Sequence, residues 1–166
     1  VPMAAMTVVV SPISGWLVGR FGARPSLVVG GAAIALGSAL LTGITVHTSF
    51  AHLFVAYVVF GLGFGAVNPP ITNTAVSGMP ASQAGVASAV TSASRQVGQS
   101  IGVAVVGAIS AVGLAGGALG RSFALASHGG WWVLAGAGVF VVVIGVVSTT
   151  RGAMASAERA AELFDT

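Results

Sequence analysis

The sequence predicts an all-α integral membrane protein, with about four complete transmembrane helices plus one partial, and three observations carry that prediction. Of 166 residues, 55% are apolar and only 5% charged, with a mean hydropathy of +1.00. So few charges cannot solvate the surface of a water-soluble domain. Uncharged apolar runs, each near the ~20 residues that cross a bilayer, alternate with short polar or glycine-rich connections. The three acidic residues, Glu158, Glu162 and Asp165, all lie in a polar tail, so no apolar run contains a carboxylate.

Residues 1 to about 18, VPMAAMTVVVSPISGWLV, read as the surviving part of a helix, kinked by Pro12 and ending at the interfacial Trp16. Because the chain opens on Val1, without a basic leader or cleavage site, it reads as a fragment whose beginning is missing. The loop GRFGARP, Gly19 to Pro25, carries Arg20 and Arg24, and a span follows over 26–46. After the short connection HTSFAH comes the span 53–76. Its Gly61, Gly63 and Gly65 remove bulk for close packing, and its Pro69 and Pro70 remove backbone donors and bend it. Ser77 to Ala84 reads as a loop, with Ser82 as N-cap of the next helix, 85–112. Gly113 to Gly130, containing Arg121 and His128, reads as a glycine-rich connection too weakly apolar to span. Trp131 and Trp132 mark the interface at which the last span, 131–150, begins, and 151–166 is a solvated tail.

The fourth helix is the anomalous one. At 100° per residue, Ser88, Thr91, Ser92, Arg95, Gln99 and Gly102 share an arc of about 100°, with Gln96 about 80° off its centre. A polar stripe in lipid must face other helices or a watery cavity. Asn68, Asn73, Thr91, Ser92, Arg95 and Gln99 are therefore the substrate-cavity candidates. Each has a plainer reading. Arg95 could be held by helix ends or snorkel to lipid phosphates, and Asn68 and Asn73 could satisfy the carbonyls that Pro69 and Pro70 release. Gly98 and Gly102 form a small-xxx-small pair suited to helix packing.

Composition excludes several function classes. With no cysteine there is no disulfide, thiolate nucleophile or Cys-based metal site. His47 and His52 have no carboxylate or thiol beside them, so no metal site is expected, and no buried acid exists to orient a histidine for hydrolysis. No enzyme activity and no cofactor are therefore expected. A pI near 11.3 rests on six arginines against only three acidic residues, with no basic cluster interleaved with aromatics, so it reports topology and not nucleic-acid binding. Counting arginines by side puts Arg20, Arg24, Arg151 and Arg159 inside and Arg121 outside, with the C-terminus cytoplasmic. The absence of Lys and abundance of Ala, Gly and Val fit a GC-rich bacterial source.

Residues Gly15 to Pro25, GWLVGRFGARP, resemble the loop signature of the major facilitator superfamily, G-x-L-x-D-R-x-G-R-[KR], in the form usual for its second copy. Gly15, Leu17, Arg20 and Gly22 match and Arg24 approximates the basic end. Gly19 stands where the family has Asp, so the gating interaction attributed to that Asp has no counterpart here. FGLGFGAVNPPITNTAVSGMP and QAGVASAVTSASRQVGQSIGVAVVG resemble late helices of the fourteen-span drug:proton antiporter branch. The resemblance implies the C-terminal part of a transporter whose two bundles rock around a midplane site. In the repeat, Tyr57 takes the place of the Arg implicated in proton coupling, so that coupling is expected from the missing N-terminal half. The expected partners are the lipid bilayer, that half, a small-molecule substrate and protons. The expected function is proton-coupled efflux of amphipathic compounds across the plasma membrane. A non-transporting truncated or scaffold protein, or a permease for another solute, is the alternative.

Overall fold

The computed structural model describes residues 2–45, 47–76, 83–114 and 119–148. Over these the chain is all-α, with five helices: α1 Pro2–Phe21, α2 Ala23–Leu41, α3 Phe50–Val76, α4 Ala84–Leu114 and α5 Leu119–Val147. Among the described residues, α1, α2, α3 to Ala75, and α5 from Ser127 are long and apolar enough to cross a membrane. At 1.5 Å per residue the 31-residue α4 is ~46 Å long, also enough to cross. Ser82 and the tail 151–166 lie outside the described residues.

The bundle is organised around α2, which packs on α3 along one side and α5 along another, while α1 covers α3 and α4 leans mainly on α5. Lipid gives apolar side chains no reason to leave it, so helix association here depends on close approach of small residues. Glycines make the seams. A Cβ on Gly63 would lie 2.6 Å from both Gly30 O and Ile34 N, and one on Gly31 would lie 2.8 Å from Gly138 O. Gly61 and Gly65 face α1 instead, where a Cβ would lie 2.6 Å from Met3 O and 3.1 Å from Thr7 Cα. Alternate glycines of α3 thus serve two different neighbours. Leu41, Ala56, Phe60 and Val67 fill the seams, and Ser26 and Ser38 of α2 are buried with no side-chain hydrogen bond.

Two connections are shorter than composition predicts. GRFGARP is not a loop of several residues: α1 continues to Phe21, α2 starts at Ala23, and Gly22 alone turns the chain, at φ +81°. That left-handed conformation suits glycine, which lacks the Cβ that clashes there. Pro25 falls in the first turn of α2, where its missing N–H removes no helical bond. At the other connection, α5 begins at Leu119, ahead of its apolar stretch from Ser127. Low apolarity argues against spanning but not against helix, and Leu, Ala and Arg are good helix formers. Tertiary contact adds to this: Gly129 and Gly130 leave room for Ile109 and Val106 of α4.

Candidate functional site

The site begins with two prolines. A helical residue donates its N–H to the carbonyl four positions back, so Pro69 and Pro70 leave the oxygens of Gly65 and Ala66 without their usual donors. Two hydroxyls of α1 replace them. Ser11 Oγ donates to Gly65 O at 3.3 Å, and the buried Ser14 Oγ donates to Ala66 O at 2.6 Å. α3 consequently runs as one helix through both prolines, and neither asparagine is spent on those carbonyls.

Asn68 is therefore available for another contact. Its Nδ2 donates to Phe64 O at 2.8 Å, which fixes the amide and turns Oδ1 outward. Thr72, one turn on, donates its hydroxyl to Asn68 O at 3.1 Å, leaving its oxygen lone pairs free to accept. Arg95 of α4 donates to both: Nη1 to Asn68 Oδ1 at 3.2 Å and Nη2 to Thr72 Oγ1 at 3.0 Å. Donor and acceptor roles are thus all determined by backbone carbonyls of α3. The guanidinium has five N–H groups, and these two bonds use two of them.

Around this node lies a cavity of about 460 Å³, where Thr72 faces Ser88, Thr91, Ser92, Arg95, Gln96 and Gln99. Four of the residues singled out on the sequence, Thr91, Ser92, Arg95 and Gln99, therefore share one wall, and Asn68 is tied to it through Arg95. Thr91 Oγ1 also donates to Ala87 O within α4 at 2.8 Å. Asn73 does not line this cavity; five positions beyond Asn68 means about 140° round the helix. Thr72 and Gln96 are additions. Thr72 was recoverable from its one-turn spacing to Asn68, whereas Gln96 enters because the cavity is wider than the stripe. A second, mostly apolar cavity of about 450 Å³, lined by Ala75, Gln83, Val86, Ala87, Val90 and Thr91, shares the Thr91 wall. Gly98 and Gly102, in contrast, meet nothing within 4 Å of a built Cβ.

The remaining motif residues sit at the ends of the bundle. At Gly15 a Cβ would lie 3.9 Å from Pro69 Cβ of α3, an ordinary contact, so the close approach of α1 to α3 does not depend on this glycine. Arg20 lies over the rings of Trp16 and Phe21, 5.5 and 5.8 Å from their centroids, and Arg24 is exposed in the first turn of α2. At the opposite end two histidine rings meet carbonyls at and just beyond the C-terminus of α2, His52 Nε2 with Leu40 O and His128 Nε2 with Ile44 O, each at 2.9 Å. His47 is exposed. Trp131 turns inward to meet Phe60 edge-on at 6.4 Å, while Trp132 stays exposed.

Comparison with known proteins agrees with this architecture. Residues 1–103 match the Major Facilitator Superfamily. Multidrug resistance protein Stp of Mycobacterium tuberculosis is 39% identical over 113 residues, which is 68% of this chain and 21% of that protein. The tetracenomycin C resistance and export protein of Streptomyces glaucescens is 35% identical over 113 residues, 66% of this chain and 20% of that protein. Quinolone resistance protein NorB of Staphylococcus aureus is 27% identical over 110 residues, 64% and 24% respectively. The chain thus spans about a fifth of the length of the curated relatives it matches. No solved structure matches at a significant level. The chain, a multi-helix bundle matched to the family over more than half its length, belongs to the major facilitator superfamily, whose members are transport proteins and not enzymes.

Proposed function

We propose that the chain is the C-terminal part of a proton-coupled exporter of drugs or other small amphipathic compounds, of the fourteen-span branch, working by alternating access. The observation that carries this reading is the Arg95–Asn68–Thr72 node, with its polar cavity next to an apolar one. Polar groups are expensive in a membrane and are kept there where a pathway or site needs them. The resistance and export functions in the names of the relatives support the same reading. α3 would supply the seam and α4 the polar wall. No Asp or Glu occurs before Glu158, so the proton-carrying carboxylate comes from the other half of the transporter. In this reading Gly22 and the tail face the cytoplasm and Arg95 lies in the inner half of the membrane, ~16 Å along α4 from Ala84.

The test is efflux of a fluorescent dye by the full-length transporter in a pump-deficient host, with and without a protonophore. Dye should leave the cells against its gradient and stop leaving when the proton gradient is dissipated. Efflux that persists without the gradient and follows ATP would refute the proposal.

A further inference from the structure

We infer that the Arg95 node is a receptor for an anionic oxygen group, and that the cargo bound there is an amphipath bearing a carboxylate; this rests on the transport reading. Three features lead to it. The first is charge. Arg95 brings a guanidinium to the node, and the described residues include no Asp or Glu. Its two bonds go to neutral oxygens, Asn68 Oδ1 and Thr72 Oγ1, which orient the guanidinium without cancelling its charge. A guanidinium oriented by neutral acceptors, with N–H groups to spare, favours an anionic oxygen group as its further partner.

The second is geometry. Asn68 is locked by its bond to Phe64 O, and Thr72 by its bond to Asn68 O, so the plane of the guanidinium is set from α3 before any ligand arrives. The N–H groups left over can form the paired hydrogen bonds that make arginine selective for planar carboxylates. Ser88, Ser92 and Gln99, on the same wall, supply further neutral donors.

The third is the surroundings. Thr91 lines both the polar cavity and the mostly apolar one, so a ligand with its head at Arg95 has apolar surface available beyond Thr91. Each space, near 450 Å³, falls in the ~300–1,000 Å³ range of small-molecule sites.

The shared chemistry, an anionic head on an apolar body, also describes an anionic phospholipid, and the experiment separates the two. The full-length transporter, purified in a neutral detergent, is titrated at equilibrium with pyrenebutyrate and with pyrenebutyl-trimethylammonium, and binding is read by fluorescence anisotropy. Arg95→Gln should weaken pyrenebutyrate at least tenfold and leave the ammonium probe within twofold. Thr72→Val, which keeps the shape but removes one acceptor from the guanidinium, should weaken the carboxylate probe several-fold and again spare the other. Equal losses for both probes, or no loss for either, would overturn the inference. If Arg95→Gln fails to fold, Thr72→Val decides by the same criterion. Dihexanoyl-phosphatidylglycerol should displace pyrenebutyrate only weakly; displacement at lower concentration than unlabelled butyl-arene carboxylates would assign the site to lipid and also overturn it. No gradient is present in this assay, so its outcome is separable from transport. Gradient-driven efflux without probe selectivity ends the inference alone, while selectivity without efflux of any compound ends the transport reading alone.

Discussion

At the scale of single residues, the bundle solves its polar problems by exchange between helices. Pro70 cannot donate to Ala66 O, and Ser14, 52 positions earlier on α1, does so at 2.6 Å. The pair amounts to one backbone hydrogen bond moved from within a helix to between two. Ser14→Ala should therefore destabilise the full-length protein by about 1–3 kcal/mol, the range for stranding one buried acceptor, with values in membranes at the lower end. A double-mutant cycle isolates the cause. Pro70→Ala restores the N–H, so in that background Ser14→Ala should cost less than half as much in a thermal unfolding measurement. Additive losses would show that Ser14 acts through packing only. Ser11 and Gly65 O form the same relation at 3.3 Å, and their effect should be smaller in proportion to the longer bond.

At the scale of elements, the glycines of α3 set how near its neighbours can come. A Cβ on Gly63 would meet backbone atoms of Gly30 and Ile34, which cannot rotate away as a side-chain end could. Gly63→Ala should push α2 from α3 and cost about 1–3 kcal/mol, the usual range for overpacking, seen as a lowered melting temperature and poorer recovery as a monodisperse species. An unchanged melting temperature would mean the seam can open without penalty. Existence and order of the helices were legible in the sequence because apolarity and glycine punctuation are local properties. The polar stripe of α4 was legible too, since helical period alone aligns Ser88, Thr91, Ser92, Arg95 and Gln99. What period cannot give is the partner across the gap. That Ser14 answers Pro70, that Arg95 answers Asn68 and Thr72, and that Gly63 serves α2 while Gly61 and Gly65 serve α1 all depend on which helices become neighbours. Asn68 and Asn73 look equivalent as letters and differ only through their angle on α3. The residues 119–126 were misleading for the opposite reason: weak apolarity was read as a connection, although helix formation needs no lipid contact.

At the scale of the whole molecule, helix alternation puts Gly22 and the start of α4 at one end of the bundle, and the α2–α3 connection, held by His52 and His128, at the other. Arg20 and Arg24 mark the Gly22 end, and the bias of arginine toward cytoplasmic loops supports the proposal that this end is the inner one. In the proposed orientation the Arg95 node would sit in the inner half of the membrane and meet cargo arriving from the cytoplasm, as the proposed export requires. Because the chain has no cysteine, single cysteines can be introduced into a cysteine-free version of the full transporter. A membrane-impermeant maleimide should label His47→Cys in intact cells and Arg24→Cys only after permeabilisation, both positions being exposed in the bundle. Labelling of Arg24→Cys in intact cells would invert the protein. It would place Arg95 in the outer leaflet, and the same node would then receive cargo from outside, making uptake and not efflux the direction the site serves.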